Sequence, residues 1–190
     1  LTLTDRAMHH HTTGWSTVEV AAKNAAGLVK NFQQFFANVR TNGVGEFKTF
    51  VLSAKNNEGK LEKLKDLLRK NGIEYGYASA GAAKGYNYFT GKEEAIALSA
   101  GDVLVSTQQP RGAMVKVLFE PSSKLSDSAT YDITAWSLPY AYGIPAYAVR
   151  EKLAINTNQP IAPPLAKLAE NGYGYLVSWN SMNEAAFVAA

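Results

Sequence analysis

Residues 47–77 read as strand, amphipathic helix, glycine, strand, and this succession constrains the fold more than any other part of the chain. Residues 47–54 (FKTFVLSA) are a short apolar run rich in strand formers. Leu61, Leu64, Leu67 and Leu68 then recur at helical spacing with charges on the other face, and Gly72 stands at the helix C′ position. Ile73, Tyr75 and Tyr77 alternate as a strand does. Such a unit predicts two strands lying parallel in one sheet, joined by a helical crossover. The pattern returns downstream: Val103, Leu104 and Val105 predict a buried strand. Gln108, Gln109 and Pro110 open a helix with the stripe Ala113, Met114, Val117, Leu118, which Pro121 ends. The expected fold is α/β: an open, mainly parallel sheet flanked by helices in three layers and built from βαβ units.

Upstream, Ser16, Thr17, Val18 and Glu19 spell a capping box, with Trp15 in position for the staple. They predict a helix from residue 17 to about residue 40, stopped by Asn42 and Gly43. Its stripe is broad: Ala21, Ala25, Leu28, Val29, Phe32, Phe35, Phe36 and Val39. That face would pack on the domain's own sheet or dock on a neighbour. Between the two strand–helix units, residues 78–85 read as an Ala/Gly-rich loop and 86–89 as a short strand. The expected organisation is an auxiliary α/β domain over 1–150, then a linker-like 151–164 rich in Asn and Pro. Residues 165–190 begin a following region or supply the last strand and helix of the same sheet. The chain starts at Leu1 with no initiator Met and no basic-then-apolar signal segment, which suggests an excised domain or a processed product.

Composition excludes several classes. The chain of 190 residues is long enough for one domain and can bury close to 70% of its unfolded surface. The formal charge of +3 comes from lysines interleaved with acids around residues 55–70, which argues against a nucleic-acid partner. No apolar run approaches the roughly 20 residues of a membrane span. The absence of cysteine excludes disulfides, thiolate zinc sites and cysteine nucleophiles, while leaving the compartment open.

Few residues carry recognisable chemistry. His9, His10 and His11 are adjacent, whereas helical zinc ligands are separated by three or four positions so that both rings share a face; a surface or packing role is expected. Residues 81–85 are glycine-rich but match neither phosphate-loop pattern, and G-x-S-x-G is absent. Gln108, Gln109 and Arg111 follow a strand at its carboxyl edge, where open α/β sheets place ligands. Arg111 in a first helical turn opposes the helix dipole, which suggests an anionic partner. Residues 130–149 (TYDITAWSLPYAYGIPAYAV) are aromatic-rich; there Asp132, as a cap or junction contact, and Trp136 are ligand or interface candidates beside Gln109 and Arg111.

Residues 130–139 (TYDITAWSLP) followed by Gly143, together with LTLTDR at 1–6, HHTT at 10–13, STVE at 16–19 and YLVSWN at 175–180, resemble the region after the catalytic domain of bacterial zinc carboxypeptidase (carboxypeptidase A-like) proteins. The resemblance implies a parent metallopeptidase, periplasmic or secreted. That parent would remove C-terminal residues with a zinc-bound water and a glutamate base. The zinc ligands and base would lie upstream of Leu1, so no catalytic residue, metal ligand or cofactor falls in this chain. Its expected partner is the peptidase domain of the same polypeptide. Its expected role is that of a non-catalytic auxiliary domain, the alternative being a small-ligand or peptide-binding module.

Overall fold

The computed structural model describes residues 2–55, 58–122, 137–158, 173–174 and 176. The described elements are α1 (Leu3–Lys23), α2 (Ala25–Asn42), β1 (Thr49–Leu52), α3 (Glu58–Lys70), β2 (Gly76–Tyr77), β3 (Gly81–Asn87), β4 (Glu93–Leu98), β5 (Val103–Ser106), α4 (Gly112–Phe119), α5 (Leu138–Tyr142) and β6 (Ala146–Val149).

The strands form one six-stranded sheet in the order β2-β5-β1-β6-β3-β4, and each neighbouring pair is antiparallel. The mainly parallel, three-layer expectation is therefore wrong. A strand–helix–strand pattern sets the relative direction of its two strands, but it carries no information about what lies between them. β1 and β2 point the same way, since both pair antiparallel with β5, which inserts between them. β5 and β6 likewise flank β1, each antiparallel to it. The core order β2-β5-β1-β6 is that of two interleaved split βαβ units, the ferredoxin-like arrangement. Hairpin β3–β4 falls between β2 and β5 in the chain and extends the sheet at the β6 edge.

One face of the sheet carries the helices. Phe50 and Leu52 of β1, Val103 and Val105 of β5, and Ala146 and Ala148 of β6 alternate onto that face. They meet Leu61, Leu64 and Leu68 of α3 and Val115 and Phe119 of α4, with the rings of Phe50 and Phe119 stacked 5.4 Å apart. Each fully buried Val, Leu or Phe side chain among them contributes about 1.5–3 kcal/mol relative to exposure. The opposite face, Val51, Leu104 and Val149, is covered by Ile96 and by Leu153 and Ile155. Residues 151–156, where the composition suggests a linker, lie along the sheet: Thr49 Oγ1 donates to the Glu151 carbonyl at 3.0 Å, and Asn156 bridges Tyr77.

Local expectations fared unevenly. α3 ends at Gly72, in the left-handed region at φ 64°, as its C′ position requires. The capping box sits at Thr2–Asp5 rather than at Ser16–Glu19: the Thr2 N–H donates to Asp5 Oδ2 at 2.8 Å and the Asp5 N–H to Thr2 Oγ1 at 3.2 Å. The helix therefore begins fourteen residues earlier than expected and runs through Ser16. The loop expected at 78–85 is largely strand β3. α4 begins at Gly112, with Arg111 as its N-cap residue instead of lying in the first turn. The strand and helix expected after residue 165 fall outside the described residues, apart from isolated positions.

Candidate functional site

Helices α1 and α2 follow one another with a break at Asn24, whose own N–H and side-chain Nδ2 both donate to the Val20 carbonyl, while its carbonyl accepts from Leu28 N–H at 3.0 Å. α1 has 21 residues and α2 has 18, so the two helices are about 32 Å and 27 Å long. Val39 is the one residue of this arm that is buried, at 4% exposure. Trp15 is 69% exposed and Phe32 66%, and Met8, Val18, Leu28, Val29 and Phe35 are also exposed. The stripe legible in the sequence is real, but the sheet does not cover it. An apolar surface of this extent marks an interaction site in a stable protein.

The arm is anchored where it meets the end of β5. Gln108 Nε2 donates to the Thr41 carbonyl at 2.9 Å, and the Gln108 backbone N–H donates to Ser106 Oγ at 3.0 Å. Gly43, at φ 66° and ψ −176°, occupies a region essentially reserved for glycine. A Cβ there would come within 2.6 Å of Thr107 Oγ1. At Gly112 a Cβ would run into the Thr107 carbonyl and approach Val39 Cγ1 to 2.8 Å. Two glycines thus let the base of the arm close onto the β5–α4 turn.

Comparison with models of known protein families, with curated proteins and with solved structures gives no match.

The residues singled out from sequence separate into distinct environments. Gln109 is 4% exposed, and its amide is committed to the fold: Oε1 accepts from Glu74 N–H at 2.7 Å, while Nε2 donates to the carbonyls of Glu74 at 2.9 Å and Ser106 at 2.7 Å. Arg111 is exposed on the same turn, beside Gly72. Asp132 and Trp136 lie outside the described residues. His9, His10 and His11 are exposed on α1. Among the described residues no group of three or more His, Cys, Asp or Glu is placed to hold a metal ion, and no helix is long and apolar enough to cross a membrane.

A concavity of about 170 Å³ lies at the start of β1, lined by Glu46, Phe47, Phe50, Lys116, Glu120 and Ser122. Its charges answer one another: Lys116 pairs with Glu120 at 3.4 Å, and Arg150, over the Phe47 ring, pairs with Glu46 at 2.8 Å and with Glu93. Nearby, the Tyr88 hydroxyl donates to the Phe119 carbonyl, and burial pushes that hydroxyl well above the ordinary tyrosine range. These groups brace the sheet edge.

Nothing in the sequence marks Gln108 as an anchor, and of the two alternatives for the helix face, packing on the sheet or docking on a neighbour, the sheet does not supply the first. The signal for the arm was present in the stripe from Ala21 to Val39, which is wider than the single short contact at Val39 can bury.

Proposed function

We propose that this chain is a non-catalytic auxiliary domain of a zinc carboxypeptidase-like polypeptide, and that its arm seats on the peptidase domain of that polypeptide. The observation that carries the reading is the bare apolar face of α1 and α2, projecting from a sheet domain whose own core is closed. The motifs at 1–6, 10–13, 16–19 and 130–139 supply the identity of the partner by resemblance. The geometry of the arm supports that role: an exposed helical extension with an apolar face suits a surface that seats one domain against another. The alternative, a small-ligand module at Gln109 and Arg111, loses one of its two groups because the Gln109 amide is spent on Glu74 and Ser106.

The test compares the isolated chain with the intact polypeptide on a blocked dipeptide, with and without zinc. The isolated chain is expected to release nothing, and the intact polypeptide to release the C-terminal residue only with zinc. Phe32→Asp with Phe35→Asp should weaken the intact enzyme or lower its melting temperature while leaving the sheet domain folded. Zinc-dependent release by the isolated chain, or an intact polypeptide indifferent to the arm substitutions, would overturn the reading.

A further inference from the structure

Resting on that reading, we infer that the arm's partner presents an apolar side chain flanked by carboxylates, and that this side chain enters the crotch between α2 and the β5–α4 turn. The groove there is lined by Phe32, Gln33, Phe36, Ala37, Arg40 and Pro110. Phe32 and Phe36, with ring centroids 4.8 Å apart, give it an aromatic wall from α2, and Pro110 gives the wall from the turn. The groove, about 480 Å³, has room for an apolar side chain of leucine or phenylalanine size with its neighbours, and anchors of this kind carry most of the energy of an interface.

Charge selects the partner. Arg40 lines the groove and Arg111 follows Pro110 in the chain; both are exposed, and neither guanidinium makes a hydrogen bond or ion pair among the described residues. Along the arm Glu19 is already paired with Lys23 at 2.5 Å, and Asp5 is held by the Thr2 cap. Arg6 and Lys30 make no ion pair among the described residues. The arm and its base thus present unanswered cations beside an apolar stripe, which is complementary to an apolar surface with an acidic rim.

A second copy of this chain fits less well. It would bring the same cations against themselves. The stripe also exceeds a coiled-coil seam: Trp15, Val18, Ala22, Ala25, Val29, Phe32, Phe36 and Val39 alternate in steps of three and four, but Ala21, Leu28 and Phe35 widen that seam on one side. A widened stripe suits a groove on a globular surface. A lipid surface would call for a polar face rich in Lys and Arg, whereas the arm's polar positions are mostly Thr, Asn, Gln and His.

The experiment places a photo-crosslinking p-benzoylphenylalanine at Gln33 and, separately, at Val18, in the intact polypeptide. The expected result is a link in cis from both positions. The Gln33 probe should reach a segment in which an apolar residue neighbours Asp or Glu. Arg40→Glu with Arg111→Glu should lower its yield roughly fivefold, and raised salt should do the same. A Gln33 link to a segment without acids, or a yield indifferent to charge reversal, overturns this inference while the Val18 link leaves the auxiliary-domain reading standing. Links only to a second copy, partition onto phosphatidylserine-containing vesicles, or no link from either position overturns both.

Discussion

The side-chain amide of Gln108 donates to the carbonyl of Thr41 at 2.9 Å, joining the last turn of α2 to the end of a central strand. Because only Val39 of the α1–α2 arm is buried, its direction depends on the few contacts at Val39, Thr41 and Gly43. Gln108→Ala should cost about 0.5–1.5 kcal/mol, the net worth of one hydrogen bond. The larger effect should appear locally, as faster amide hydrogen exchange over residues 36–43 with little change in the exchange of β1 and β5.

Gly43 and Gly112 should tolerate no side chain. Gly43→Ala places a Cβ in a glycine-only backbone region and against Thr107 Oγ1, so a loss of about 1–3 kcal/mol is expected by urea denaturation. Gly112→Ala meets the Thr107 backbone itself, which cannot swing aside as a side chain would. It should be at least as damaging, whereas Gly27→Ala, with nothing near its Cβ, should be neutral or mildly stabilising.

Gln109 and Arg111, adjacent in function on the sequence reading, should diverge on substitution. Gln109→Ala leaves the part-buried Glu74 N–H and the buried Ser106 carbonyl without this partner, a loss of about 1–3 kcal/mol in chemical denaturation. Arg111→Ala, exposed and unpaired among the described residues, should leave stability within about 0.5 kcal/mol of the parent.

High pH should loosen the domain. Burial, then a hydrogen bond and charge from Tyr86, push the Tyr140 hydroxyl up to about 12. Burial works to lower the Lys65 ammonium, but the hydrogen bond and charge of Glu62 outweigh it and hold the group above its usual range. Both groups bind their protons more tightly folded than unfolded. Their stabilisation is therefore complete below about pH 10 and is lost as pH rises toward 12. Tyr140 is 43% exposed, so solvent screening reduces its share. Melting temperatures between pH 9 and 12 should fall, and Tyr140→Phe should flatten the slope.

What the sequence revealed was local. The stripe of α3 and the apolar runs of β1 and β5 were legible, because each is written in contiguous residues at a single period. The insertion of β5 between β1 and β2 was not, since it joins segments about fifty residues apart. β3 was hidden by composition: Ala82, Ala83 and Gly85 are poor strand formers, held by pairing with β4 and β6. Gly85 is needed there because a Cβ would stand 2.9 Å from the Ala148 carbonyl. At the candidate site, a polar turn after a strand suggested a ligand. Glu74, which absorbs the Gln109 amide, lies thirty-five residues away and gives no sign in the local pattern. The arm's stripe announced a buried face but could not name what covers it.

Hydroxyl-radical footprinting tests the central claim most directly, by comparing oxidation of Met8, Trp15, Phe32 and Phe35 in the isolated chain and in the intact polypeptide. All four are exposed in this structure. The account predicts rapid oxidation in the isolated chain at low concentration. In the intact polypeptide, protection should approach that of buried Phe50 and Phe119 and should not vary with protein concentration. Equal oxidation in the two, or protection that appears only as the isolated chain is concentrated, would contradict it.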